Sequence, residues 1–221
     1  MKANIFWHPK ANGFVRITST NNMNHLVYYM EGKIAKSYSG YRLILKDLMD
    51  VRDSIIILQK HKFENSLSRI IKQGLSFNVI ITYGKCFSKA DGRGIKLDKG
   101  NLTKYCEQAE IDEHIRVIHQ RDSYVAHGGL EGYEHNPVVV ILNRDRLNKS
   151  IIDIYDNPMG LVDIDSQLDT IESLVNSNIG FVEEKCLLLM EKIKVEITKV
   201  DLNELYLNSI DPDDFEQIIS R

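Results

Sequence analysis

Apolar residues recur at helical spacing over most of this chain. One row predicts a helix over residues 41–60, and a second, with apolar residues around much of its circumference, predicts a helix over 65–87 that contacts more than one neighbour. A third row predicts a helix over 110–127, which the pair Gly128-Gly129 ends. The rows consist of Leu45, Leu48, Val51, Ile55 and Leu58, then Leu67, Ile71, Leu75, Val79 and Tyr83, and then Ile111, Ile115, Ile118 and Val125.

A fourth apolar row predicts the last long helix. It begins at Asp165 or Ser166, either of which is suited to an N-cap, and continues to about Lys199. A seam of this length is typical of a helix in a bundle or at a dimer interface. The tail DPDDFEQII predicts one or two further helical turns.

Strand-like runs flank the helical region. FVRIT and HLVYYM predict an irregular segment or a hairpin within residues 1–40. PVVVIL, IIDIY and LVDI, with a turn at 156–160, predict a small β meander within 136–165. The patterns therefore predict one mainly α domain, in which a helical core over 41–135 precedes the meander and the C-terminal helices over 166–221 pack on that core.

The composition narrows the class of protein. With 43% hydrophobic and 27% charged residues, the chain has the balance of a folded globular protein. The formal net charge of -3 argues against non-specific coating of nucleic acid. Three widely spaced cysteines form no CxxC pair, and neither a signal peptide nor a membrane span is evident. We therefore expect a cytoplasmic protein without a metal, a cofactor or a membrane partner.

The stretch RDSYVAH at residues 121–127 contains the residues best suited to chemistry. His127 can move a proton near neutral pH, and the Arg121 guanidinium can stabilise charge that develops on a phosphate. Those two groups suffice for RNA cleavage without a metal. On an ideal helix the two side chains lie about 120° apart, so fraying at the glycine pair or a symmetric partner is needed to bring them together.

This stretch resembles the R-x4–6-H motif of HEPN domains (higher eukaryotes and prokaryotes nucleotide-binding), and IITYGKCFS and the last helix are similar to helices of HEPN-like bacterial defence and toxin proteins. The resemblance implies a HEPN-like helical bundle that forms a homodimer with two facing motifs. It implies a metal-independent endoribonuclease of the toxin–antitoxin or abortive-infection type, with RNA as substrate and an antitoxin or regulatory protein as partner. It assigns Arg121 and His127 as the catalytic pair, supported by Asp122. Since some HEPN-like proteins lack nuclease activity, the alternative is a non-catalytic dimer that binds a nucleotide, RNA or a protein.

A purely structural interpretation of the same residues stays open. Arg121 can pair with a neighbouring carboxylate, and His127 can cap the last carbonyls of its helix. Asp122 favours a functional interpretation, because it falls on the row of Ile111, Ile115 and Ile118, where an unpaired carboxylate is costly to bury.

A basic stretch precedes the motif. The run SKADGRGIKLDKGN predicts an exposed loop, and six cations against two carboxylates give a local charge of +4 between Tyr83 and Tyr105. Such charges are either solvated surface or an RNA-docking rim. The candidate RNA-binding residues are Lys85, Lys89, Arg93, Lys96 and Lys99. A metal site among His114, His119, His127 and His135 is disfavoured because the HExxH spacing is absent.

Overall fold

The structure of the chain, a computed structural model, describes residues 3–8, 13–18, 27–89, 93–125, 138–144, 151–156 and 164–210. The elements are β1 (Ala3–His8), β2 (Gly13–Thr18), β3 (Val27–Tyr28), α1 (Lys33–Lys60), α2 (Ser66–Cys86), a 3-10 helix (Lys99–Lys104), α3 (Gln108–Gln120), a π-helical turn (Arg121–Val125), β4 (Val138–Leu142), β5 (Ile151–Asp156), a 3-10 turn (Asp165–Gln167), α4 (Leu168–Ile197), α5 (Leu202–Leu207) and β6 (Ser209–Ile210). The predicted mainly α class is confirmed.

Contacts divide the chain into two compact units, Met1–Tyr38 with Leu187–Arg221 and Ser39–Cys186. The apolar pattern did not indicate this division. Within the part of the chain that the structure describes, no helix combines the length and apolar character that crossing a bilayer requires. The predicted helical turns of the tail, residues 211–219, lie outside the described residues.

The first unit contains two antiparallel strand pairs. β1 pairs with β2, so the predicted N-terminal hairpin is present, but its strands are ANIFWH and GFVRIT. The run HLVYYM was expected to be a strand of its own; only Val27 and Tyr28 are extended, and they pair with β6.

The second unit contains α2, α3 and the parts of α1 and α4 within Ser39–Cys186, which form a helical bundle with polar contacts between the helices. Asn78 of α2 donates to Ser54 of α1 (2.9 Å), and Gln59 of α1 donates to Asp169 of α4 (3.0 Å). The helix predicted over 41–60 begins earlier, at Lys33. The helix predicted over 65–87 is confirmed, with Asn65 as its N-cap. The last helix is confirmed as well: the 3-10 turn Asp165–Gln167 leads directly into α4.

The core of this unit comes mainly from α1, α2 and α4. The apolar rows of α1 and of the first two thirds of α4 are buried as predicted, whereas the α2 row is buried only in its second half. Leu67 and Ile71 at its start are 67% and 49% exposed, so the expectation of contacts on several sides is wrong there. Fully buried side chains include Ile44, Leu48, Val51, Ile55, Ile80, Tyr83, Ile171, Leu174 and Val182.

The inner face of α3 differs from the prediction. Ile115, expected in the core, is 61% exposed, while Glu110, Glu113 and His114 are at most 6% exposed. Burying these polar groups is tolerated because each has a partner: Ser173 of α4, for example, donates to Glu110 at 2.7 Å. For Glu110 and His114 the partners are on other helices, whereas Glu113 pairs with Arg116 of the same helix.

Between α3 and α4, β4 and β5 form an antiparallel hairpin with a register irregularity at Ile141/Leu142. This confirms two strands of the predicted meander. Most of the third run, LVDI, lies outside the described residues, and its last residue, Ile164, is buried and not in a strand.

Candidate functional site

A pocket of about 310 Å³ opens where the end of α2, the segment 93–99, α3 and the π-helical turn meet. Four of the residues around it were selected from the sequence: Arg121, Asp122, Lys96 and Lys99. The start of the motif and part of the basic stretch, which lie more than twenty positions apart in the sequence, therefore line the same pocket. The remaining lining residues are Phe87, Ser88, Leu97, Asp98, His114 and Ile118.

Arg121 lies across α2 in a notch that a glycine provides. A Cβ atom at Gly84 would overlap with Arg121 Cδ and would come within 3.1 Å of Nε. Arg121 Nη1 donates to Ser88 Oγ at 2.6 Å, and Ser88 Oγ donates to the Gly84 carbonyl at 3.0 Å. The side chain is 30% exposed, so the guanidinium is oriented by α2 while part of its surface faces the pocket. Neither Gly84 nor Ser88 carries a signal in the sequence, because their role appears only where α2 and the motif meet.

Asp122 is not on the buried row to which the helical spacing assigned it. Its side chain is 59% exposed, and Oδ1 lies 3.3 Å from Arg121 Nη1. The regular helix predicted to residue 127 is also wrong, since α3 ends at Gln120 and Arg121–Val125 form a π-helical turn. Such turns occur often at functional sites. His127 lies outside the described residues.

The segment 93–99, expected to be an exposed loop, is in part buried and fixed. Arg93 is 7% exposed and forms an ion pair with Asp47 of α1. The amide of Leu97, which is 2% exposed, donates to the Cys86 carbonyl at 2.9 Å. Gly40 of α1 permits the close approach, because a Cβ there would lie 2.7 Å from the Arg93 carbonyl oxygen. The wall that carries Lys96 and Lys99 is therefore attached to both α1 and α2.

The five candidate RNA-binding residues fall into different surroundings. Lys96 and Lys99 are exposed and line the pocket. Lys85 contacts Asp47 at 3.1 Å, and Lys89 is exposed just beyond α2. Arg93 is buried against Asp47, so its guanidinium is not presented on an RNA-docking rim. The structure thus assembles Arg121, Lys96 and Lys99 into one cationic group.

His114 is a pocket residue that was considered in the sequence only as a weak metal ligand. Its Nδ1 atom lies 2.9 Å from the hydroxyl oxygen of Tyr83, and the centroid of its ring lies 4.4 Å from the ring centroid of Phe87. Burial, with a smaller contribution from the charge of Lys99, lowers the pKa of His114 to about 4. The imidazole is therefore neutral at pH 7. The i, i+4 relation of Tyr83 to Phe87 was visible in the sequence, but their contact with a residue on another helix was not.

The pocket combines three cations with the carboxylates of Asp98 and Asp122, so its net charge at neutral pH is +1 with His114 uncharged. Asp98 also caps the following 3-10 helix by accepting from the amide of Gly100 at 2.9 Å. Since a guanidinium binds a phosphate through two parallel hydrogen bonds and lysine contributes point charge, these groups can hold a phosphate.

The described residues contain no group of three or more His, Cys, Asp or Glu side chains that could bind a metal ion. Cys86 is fully buried, and burial raises the pKa of its thiol to about 12. Cys106 also has a pKa raised to about 12, chiefly by burial. Neither thiol is ionised at neutral pH, so neither is a ready nucleophile.

Comparison with known proteins does not add a relative to these observations. The chain matches no protein-family model, no curated protein sequence and no solved structure.

Proposed function

We propose that this protein is a HEPN-like, metal-independent endoribonuclease, of the toxin or abortive-infection type, whose scissile phosphate binds in the pocket of Arg121. The observation that carries the proposal is the convergence of Arg121, Lys96 and Lys99 on one open pocket. The setting is the cytoplasm, where the three free thiols stay reduced.

The chemistry needs a positioned cation and a group that moves a proton. The ribose 2′-hydroxyl attacks the adjacent phosphate, and the bond to the 5′ oxygen breaks, leaving a 2′,3′-cyclic phosphate and a 5′-hydroxyl. Arg121 stabilises the charge that develops on the phosphate oxygens, and Ser88 keeps the guanidinium in place at 2.6 Å. His127 of the motif is the proposed proton carrier, since His114, which lines the pocket, takes up a proton only near pH 4.

Dimerisation is part of the proposal. Apolar residues at i, i+3 and i+4 on α2 are unusually open: Leu67 and Ile70 are each 67% exposed, and Ile71 is 49% exposed. Gly74, on the same face, has open space beside it. A second copy of the chain that packed α2 against α2 would cover this stripe.

A second candidate function is binding of a nucleotide or RNA without cleavage. It is favoured by Asp122, because a carboxylate 3.3 Å from Arg121 Nη1 already neutralises part of the guanidinium charge. For either function, we propose an antitoxin or another regulatory protein as an additional partner.

The test is incubation of a mixed-sequence RNA with the purified protein in EDTA, with analysis of the ends. We expect 2′,3′-cyclic phosphate ends, no cleavage of the matching DNA, and loss of cleavage in Arg121→Ala and His127→Ala. Arg69→Ala and His61→Ala are matched controls, since both residues are exposed and neither lines the pocket. Phosphate binding that requires Arg121, without cleavage of any RNA, would select the binding function.

A further inference from the structure

The pocket has two chemically different walls. Lys96, Lys99 and Arg121 supply positive charge, whereas Phe87 and Ile118 supply apolar surface. Its volume of about 310 Å³ is at the lower end of the range of roughly 300–1,000 Å³ that is typical of small-molecule sites. A phosphate group alone fills only a small part of such a space. A ligand that fits the whole pocket therefore carries an anionic group and a larger, flatter, less polar part.

His114 lies between the two walls, and Tyr83 determines which of its nitrogens carries the proton. Tyr83 is fully buried, so its hydroxyl needs an acceptor, and Nδ1 of His114 lies 2.9 Å from it. Asn178 is a second side-chain partner of Tyr83, but its Oδ1 atom already accepts from Tyr105 at 3.1 Å, so we assign Nδ1 as the acceptor. When Nδ1 accepts, the proton of a neutral imidazole is on Nε2. Nε2 has no hydrogen-bond partner within the described ranges, and the imidazole lines the pocket.

We propose that His114 is a further ligand-binding residue of this pocket, which donates from Nε2 to an uncharged oxygen of a ribonucleotide whose phosphate lies on Arg121. The acceptor is a base carbonyl or a ribose hydroxyl, and Phe87 provides apolar surface for the base. This inference rests on the proposed function, because it requires the phosphate to bind at Arg121. It adds that the pocket selects a nucleotide over inorganic phosphate.

Two substitutions of His114 separate its nitrogens. The side-chain amide of asparagine reaches the position of Nδ1, whereas that of glutamine reaches the position of Nε2. The full-length protein is titrated calorimetrically with the four ribonucleoside 3′-monophosphates and with inorganic phosphate. For the tightest nucleotide we expect His114→Asn to weaken binding about fivefold to tenfold, as loss of one hydrogen bond does, and His114→Gln to stay within about twofold of the wild type. Both variants should bind inorganic phosphate within about twofold of the wild type.

Nitrogen NMR of the wild-type imidazole provides a readout that a structural role would not move, and it needs no variant to fold. We expect the proton on Nε2 at pH 7 and a shift of the Nε2 resonance when the nucleotide is added, but not when phosphate is added. A proton on Nδ1, or equal nucleotide affinity in the wild type, His114→Asn and His114→Gln, would overturn the inference.

Arg121→Ala distinguishes this failure from failure of the proposed function. If Arg121→Ala binds phosphate and nucleotide like the wild type, the phosphate site itself is wrong. If Arg121→Ala weakens both ligands while the His114 variants lose nothing, only the role of His114 is wrong.

Discussion

Replacing Gly84 by alanine should displace Arg121 without removing it. The added Cβ would lie 3.1 Å from Nε and 3.3 Å from Cγ, and would overlap with Cδ between them. Because carbon atoms pack best at about 3.5–4.0 Å, the arginine side chain must move by about 1 Å. A shift of that size disrupts the 2.6 Å hydrogen bond to Ser88 and, for a catalytic group, costs about 100-fold in rate. If the protein is the ribonuclease proposed above, RNA cleavage should fall about 100-fold, and phosphate binding should be reduced as well.

The effect of Gly84→Ala on stability should be small, because two contributions oppose each other. Alanine in a helix interior is favoured over glycine by about 1 kcal/mol, whereas overpacking costs about 1–3 kcal/mol. Urea denaturation should therefore show a net loss of at most about 2 kcal/mol. Gly180→Ala in α4 is the matched control, since no atom of the described residues beyond its own helix backbone and chain neighbours lies within 4 Å of its added Cβ. It should gain about 0.5–1 kcal/mol and leave cleavage unchanged.

A double-mutant cycle tests whether the clash is with Arg121 itself. In an Arg121→Ala background the obstructing side chain is absent, so Gly84→Ala should stabilise the protein as Gly180→Ala does. Wild-type cleavage by Gly84→Ala, or an equal loss of stability in both backgrounds, would refute the positioning of Arg121 by this notch.

Three further predictions concern the surroundings of the pocket. The pKa of His114 falls from 6.5 to about 4 on folding, so between these pH values the unfolded chain binds a proton that the folded chain does not. The free energy of unfolding should therefore decline by up to about 3 kcal/mol as the pH falls from 6.5 to 4. His114→Gln should lack this part of the pH dependence when denaturation is measured across pH. Arg93→Ala leaves Asp47 with the more exposed Lys85 as its ion-pair partner and should cost about 2 kcal/mol in urea denaturation, whereas Arg93→Met combined with Asp47→Leu should recover most of the loss. Burial raises the pKa of Glu110, but hydrogen bonds from Ser173 and other donors outweigh burial and lower the pKa overall. Ser173→Ala should therefore reduce the free energy of unfolding by about 2 kcal/mol at pH 7, and this reduction should become smaller as the carboxylate is protonated below pH 4.5.

The helices that could be predicted best from the sequence are those with local signals at both ends or a long apolar seam. α2 has a capping residue at Asn65, and α4 keeps its apolar seam over many turns. The start of α1 was predicted too late, because Lys33–Gly40 has a weak apolar pattern and Gly40 is there for a close approach of another segment. The pattern of apolar residues in one segment does not show which distant segment packs against it.

The pocket was predictable only in part for the same reason. Arg121 and Lys99 were selected by chemistry and charge, and both line it. His114 was missed and Arg93 misassigned, because each depends on a partner far away in sequence: Tyr83 for one and Asp47 for the other. Whether a polar side chain lies on the surface, in the core or in a binding site depends on the residue that it contacts in the folded chain.

The π-helical turn at Arg121–Val125 has a consequence for the geometry of the motif. Hydrogen bonds in such a turn join residues five apart, so the turn accommodates one residue more than an α-helical turn. Each such residue changes the direction in which the chain leaves the helix by about 100°, the angle that one α-helical residue subtends. The regular α-helical spacing assumed for Arg121 and His127 in the sequence therefore does not hold over 121–125, and a single deletion there would change the direction in which the chain leaves the turn while leaving the composition of the motif almost intact.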